Sequence, residues 1–181
     1  MNPLVVFGLV SLLLAWLCRY QLANPRCHGF YRFFAFEGVL WNLLHALPVW
    51  TSEPQSARQI ASFTLMLAAL AILIDALRRL GAAGRQFRRE TRENFAFENT
   101  VSLATAGIYR YIRHPMYSSL LLFAWGLWLK RPTVGALLVT LVISLALWLT
   151  ARVEEGENRA FFGLPYDDYR KHSKMLIPFI F

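Results

Sequence analysis

Residues 105–117, TAGIYRYIRHPMY, set Tyr109, Arg110, Tyr111, Arg113 and His114 directly ahead of Pro115 and an uncharged run. Proline suits the first turn of a helix and pushes the residue before it out of helical backbone. Pro115 therefore marks a helix start and puts Arg113 and His114 at its mouth. The N–H groups of that first turn, from Met116 and Tyr117 onward, face out with the positive end of the helix dipole, which favours an anion such as a carboxylate. The chain turns back after Lys130 and Arg131, and a second uncharged run leads to Glu154 and Glu155. At about 1.5 Å per residue, the rise from His114 to Lys130 is about 24 Å and that from Pro132 to Glu154 about 33 Å, so the glutamates return level with His114 or just beyond it. One side of this mouth offers cations and helix N–H groups; the other offers carboxylates.

Such a pocket, lined by Tyr109, Tyr111, Tyr117, Tyr166 and Tyr169, suits a zwitterion that also carries an aromatic or cationic group. S-adenosylmethionine has a carboxylate, an ammonium, a sulfonium and an adenine, and a sulfonium suits an aromatic face. The same residues also read as snorkelling and interfacial anchors of helix ends. Geometry alone leaves the two readings even.

The elements that position these residues are apolar. With 56% hydrophobic and 17% charged residues in 181, the chain is too apolar for an ordinary soluble domain and reads as an integral membrane protein. Five uncharged runs, residues 3–18, 33–50, 60–77, 115–129 and 132–151, approach the ~20 residues a bilayer crossing needs. The fold expected is all-α: one multi-pass membrane bundle over residues 1–181 of about five transmembrane helices with a helical C-terminal extension. Residues 1–80 supply three helices and 81–181 the ligand-binding half. The first run lacks a basic start and a cleavage site, so it reads as a membrane helix rather than a signal peptide. Cys18 and Cys27 are assigned no role, and no His or Cys cluster has metal-ligand spacing.

The net charge of +8 has a topological explanation. With the N-terminus outside, five crossings leave only Arg58, Lys130 and Arg131 of the 19 Lys and Arg outside, as the positive-inside rule requires. Nucleic acid is not an expected partner; the bilayer is. The long segment between the third and fourth runs exceeds a mere connector. Its residues 85–98 mix arginine and glutamate with Phe87, Phe95 and Phe97, as an interfacial segment or a solvated charged loop would. The C-terminal residues 154–181 are amphipathic and suited to folding back over the same face.

TAGIYRYIRHPMY, an antiparallel hairpin, EEGENRAFFGLPYDDY and a late Ile-Pro together resemble the integral-membrane methyltransferases of the isoprenylcysteine carboxyl methyltransferase and phospholipid N-methyltransferase group. The resemblance covers residues 94–178. It implies S-adenosylmethionine as cofactor, contacted by Val101, Ser102, Leu103, Ala104, Tyr109, His114, Pro115, Met116, Tyr117 and Glu154, with Asn94 at a further polar position. Two departures bear on the substrate. Where isoprenylcysteine methyltransferases carry an arginine one turn before the first paired glutamate, this chain has Thr150, with Arg152 on another helix face; where the family often has an arginine before the late Ile-Pro, it has Met175 beside Lys174. The cofactor half is kept better than the substrate half.

Methyl transfer from a sulfonium needs no metal, and alignment with exclusion of water supplies much of the rate. A general base is required only for an acceptor that arrives protonated. Glu37 and His45, on one face of the second helix with Trp41 and beside Asn42, are the candidates, since ionisable groups in a membrane helix default to function; the bland reading is a hydrogen-bonded patch between helices. Asp75 is placed to pair with Arg78 or Arg79. The function expected is cytoplasm-facing methyl transfer to the oxygen, sulfur or nitrogen of a lipophilic acceptor that enters sideways from the bilayer, a bacterial inner membrane. The rival is a non-catalytic membrane protein, a transporter subunit or assembly partner, in which the junction is a topological anchor. A nicotinamide-dependent reductase finds no phosphate-binding glycine loop, since GRQFRRE lacks the spacing.

Overall fold

The computed structural model describes residues 2–82 and 102–178. These are helical almost throughout, with an isolated parallel pairing of Ile112 and Lys174 in place of any strand among them. Helix α1 (Pro3–Leu17) starts behind Asn2, whose side chain accepts the Leu4 N–H at 2.9 Å, a standard N-cap. A short α2 (Arg19–Leu22) leads to α3 (His28–Ala46), and α4 (Ala57–Ala82), α5 (Pro115–Lys130), α6 (Val134–Phe162) and α7 (Leu164–His172) follow.

The uncharged runs lie largely within these helices, but two helices overrun them. Helix α3 begins at His28 and takes in Arg32; α6 continues to Phe162 and takes in Glu154, Glu155 and Glu157. Charge does not end a helix, because Glu and Arg are good helix formers. What ends α6 is Gly163, at φ +64, a backbone conformation glycine adopts at no steric cost. By length and composition α4 (26 residues) and α6 (29 residues) can cross a membrane. Helices α1, at 15 residues, and α5, at 16, fall short of the ~20 needed for a perpendicular crossing.

Helix α5 lies along α4, and α6 along α3. Small residues allow the close approach, as is usual where helices meet without a water-driven force. Ser62 Oγ donates to the Gly126 carbonyl at 2.8 Å. Gly38 receives Ile143 so tightly that a Cβ there would stand 2.5 Å from its Cγ1. Asn42 Nδ2 donates to Thr140 Oγ1 at 2.9 Å, tying α3 to α6 by a buried bond. Outward, Leu67, Leu70 and Ile74 of α4 and Leu138, Leu141 and Leu145 of α6 are exposed, a surface suited to lipid, and the protein associates with a membrane.

The bundle has two unlike ends. At one, Lys130 is fully buried, with Nζ donating to Gln59 Oε1 at 2.7 Å and lying 3.2 Å from the Phe63 ring centre; Arg58 donates to the Leu129 carbonyl at the end of α5 at 2.9 Å. At the other, α7 and residues 173–176 fold back onto the start of α5. The Arg113 and His114 N–H groups donate to the Lys174 and Met175 carbonyls at 2.8 and 3.2 Å, and Ser118 Oγ to the Leu176 carbonyl at 2.5 Å. Met175 and Leu176 are thereby buried in the core beside Tyr117.

Candidate functional site

Pro115 opens α5 at the expected residue, and His114 stands before it in non-helical backbone at φ −120, ψ 61. The His114 carbonyl accepts the Tyr117 and Ser118 N–H groups at 3.1 and 3.0 Å. The Tyr117 N–H expected to face a ligand is therefore used by the helix itself. Ahead of His114, a 3-10 turn (Gly107–Arg110) is pinned to α4 by Asp75, which accepts the Ile108 N–H at 2.8 Å and Arg79 Nε at 3.3 Å. Gly107 fits that corner at φ +62, where a Cβ would lie 2.6 Å from Asp75 Oδ2. From the other side Tyr169 Oη donates to the Tyr109 carbonyl at 2.6 Å. The backbone of this turn is thus held from both sides, and Tyr109 is buried.

The charged groups meet as interleaved pairs rather than as one positive and one negative wall. Tyr117 Oη donates to Glu154 Oε2 at 2.5 Å, and His114 Nδ1 lies 3.5 Å from the same oxygen. Glu155, one residue on, accepts Arg113 Nε at 2.6 Å and lies 3.3 Å from Arg170; Arg113 also donates to the Ser173 carbonyl. Burial opposes charge on His114, but Glu154 first and Glu155 second outweigh it and hold the imidazole above the ordinary histidine value. Burial pushes the Tyr109, Tyr166 and Tyr169 phenols above the ordinary tyrosine range, so they present neutral rings and hydroxyls.

These groups surround a cavity of about 260 Å³. Of the residues singled out from sequence, Leu103, Ala104 and Tyr109 line it from the loop, His114, Pro115, Met116 and Tyr117 from the start of α5, and Glu154 from α6; Arg113, Tyr166 and Tyr169 complete that end. Ser102 is exposed and stands apart from the wall. Val101 and Asn94, like the segment 85–98, lie outside the described residues. Tyr111 is a correction: it is 46% exposed and faces away.

Glu37 and His45 also sit apart from the cavity. Glu37 accepts Ser11 Oγ at 2.6 Å, joining α3 to α1, and His45 Nε2 lies 3.3 Å from Thr133 Oγ1 at the opposite end of the bundle. Glu37 thus faces α1, and His45 the residue that caps the start of α6. Thr150 bonds back to the Ala146 carbonyl at 2.7 Å, while Arg152 is exposed over Trp148. The wall has a second part that sequence reasoning missed: Arg32 and Phe36 from α3, Leu73 and Leu80 from α4, and Asn158 and Phe162 from α6. The available signal was the i, i+4 spacing of Arg32 and Phe36, an arginine set on the same face as an apolar ring.

This is the layout of a membrane-associated helical protein with a cavity lined by polar and aromatic side chains where its helix ends converge. The chain belongs to the phospholipid methyltransferase family, whose pattern matches residues 57–164. It is similar to the "Probable protein-S-isoprenylcysteine O-methyltransferase" of Oryza sativa subsp. indica, 34% identical over 119 residues, covering 61% of this chain and 59% of that protein. The "Protein-S-isoprenylcysteine O-methyltransferase" of Schizosaccharomyces pombe is 39% identical over 82 residues, 43% of this chain and 34% of the relative. The "Methanethiol S-methyltransferase" of Crocosphaera subtropica is 34% identical over 76 residues, 42% and 29%. The chain thus spans under two thirds of the length of each of these relatives. No solved structure gives a significant match.

Proposed function

We propose that the protein is a multi-pass membrane methyltransferase that takes S-adenosylmethionine at the cytoplasmic end of its bundle and methylates a lipophilic acceptor. The observation that carries this reading is the convergence of His114, Tyr117 and Glu154 on one cavity wall, in a chain of the phospholipid methyltransferase family. The donor set fits such a ligand. Glu154 is a carboxylate suited to an ammonium or a ribose hydroxyl, the buried His114 Nε2 has no hydrogen-bond partner among the described residues, and Tyr109, Tyr166 and Tyr169 offer neutral rings for the adenine and the sulfonium. When bound, S-adenosylmethionine supplies a methyl group activated by its sulfonium.

The chain's contribution is placement and dryness. The C-terminal fold-back through Lys174 and Met175 closes one side of the mouth, and exclusion of water strengthens every polar contact inside. Phe36, Leu73, Leu80 and Leu120 add an apolar stretch of wall, which suits an acceptor that reaches the site from lipid. A carboxylate or thiolate acceptor needs no base, whereas an ammonium must lose a proton. Relatives named for O-methylation of protein-S-isoprenylcysteine and for S-methylation of methanethiol support an oxygen or sulfur acceptor.

The test is transfer of radiolabel. Purified protein with methyl-labelled S-adenosylmethionine should move label into the organic-soluble fraction of membrane lipid extracts or into small lipophilic thiols, and Glu154→Ala should stop it. Labelling that is equal with the wild type and the variant would reject the assignment of this site.

A further inference from the structure

The methyl donor proposed above carries a carboxylate that must be met by positive charge or N–H groups. Arg113 is held by Glu155 and by the Ser173 carbonyl. His114 lies between Glu154 and Glu155. The Tyr117 and Ser118 N–H groups close the first turn of α5 on the His114 carbonyl, and Pro115 has none to offer. The Tyr117 and Ser118 N–H groups are thus used in building the helix, and Glu154 adds a negative charge to the wall.

A further cation reaches the same cavity from α3. Arg32 is 3% exposed and lines the wall with Phe36, whose ring centre is 5.9 Å from the guanidinium carbon. It stands in the second turn of α3, whose first residue His28 is joined to α6 through Glu157 at 2.7 Å, so the guanidinium belongs to the polar end of the bundle and not to its middle. Asn158, next to Glu157, lines the cavity as well. Gly29, one turn before Arg32, makes room for Gln21 of α2, since a Cβ there would stand 2.5 Å from its Cγ. A planar guanidinium with several fixed N–H donors matches a carboxylate better than any other side chain does.

We infer that Arg32 anchors the carboxylate of the methyl donor, so that the donor is gripped at its amino-acid end by α3 and at the other by α5, α6 and the Tyr109 turn. This rests on the function proposed above and extends it to a helix that the family match, residues 57–164, does not reach. The donor then bridges α3 to the α5–α6 hairpin, and its binding fixes the gap between them.

Two ligands separate this role from a structural one. S-adenosylhomocysteine carries the carboxylate; 5′-methylthioadenosine keeps the nucleoside and the sulfur and lacks the amino-acid group. Binding of both to detergent-purified full-length protein is measured by calorimetry for the wild type, Arg32→Lys and Arg32→Ala. Loss of a charge-assisted contact should weaken S-adenosylhomocysteine about ten- to a hundredfold in Arg32→Ala and less in Arg32→Lys, while 5′-methylthioadenosine binds all three alike. A parallel fall for both ligands would make Arg32 structural, and unchanged S-adenosylhomocysteine affinity would remove it from the site; either overturns the inference. A wild type that binds neither ligand would overturn the proposed function itself, and the inference with it.

Discussion

Tyr117, one turn into α5, donates its hydroxyl to Glu154 of α6 at 2.5 Å, and this bond joins the two helices of the hairpin at the cavity wall. It fixes the direction of the carboxylate, whose other near neighbour is His114 at 3.5 Å. Tyr117→Phe should leave the fold intact and weaken S-adenosylhomocysteine about three- to tenfold, the scale of one hydrogen bond to a charged group. Calorimetry on the folded variant checks it; an unchanged affinity would mean that the orientation of Glu154 does not matter.

The corner that presents Tyr109 depends on Gly107. At φ +62, with Asp75 and Arg79 packed where a side chain would go, Gly107→Ala should cost about 1–3 kcal/mol of stability. Because the strain lies in the turn that carries Tyr109, ligand affinity should fall as well. Thermal unfolding with and without S-adenosylhomocysteine separates the two effects, and an alanine variant with wild-type Tm would contradict the account of this turn.

Lys130 serves as the control at the other end. Replacing it with methionine keeps the packing against Phe63 and leaves Gln59 Oε1 without its 2.7 Å donor, which should cost about 1–3 kcal/mol. The folded fraction should bind S-adenosylhomocysteine as the wild type does. A large loss of affinity would show that the two ends of the bundle are coupled.

The pH dependence of stability follows from His114. Its folded pKa is raised above 6.5 by Glu154 and Glu155 despite burial, so its stabilising contribution is complete below the unfolded value and is lost as pH rises through the folded one. Tm should therefore fall as pH is raised above about 6.5, and His114→Gln should flatten that part of the profile. A profile identical in the two proteins would place the charge elsewhere.

The start of α5 was legible to the residue, because a proline leaves few alternatives for where a helix begins. The α5–α6 hairpin was legible because the link after Lys130 is too short for any other course. The boundaries of α3 and α6 were not. Reading uncharged runs finds where lipid contact ends, and Arg32 and Glu155 lie in helix beyond that limit, buried among helix ends rather than bathed in water. That is also why the α3 part of the wall was missed: an arginine just outside an apolar run reads as a topological charge until another helix is seen packed over it. The opposed charged walls expected from sequence became interleaved pairs for a related reason. Residues 154 and 155 differ by about 100° around a helix of 3.6 residues per turn, so adjacent glutamates serve different partners, one the cavity and the other Arg113 and Arg170.

The most direct test of the central claim is calorimetric binding of S-adenosylhomocysteine to the purified wild type and to Glu154→Ala. The account predicts saturable one-to-one binding by the wild type and at least a tenfold loss in the variant, in keeping with removal of a charged partner. No heat of binding from a correctly folded wild type, or equal affinity in the two proteins, would contradict it.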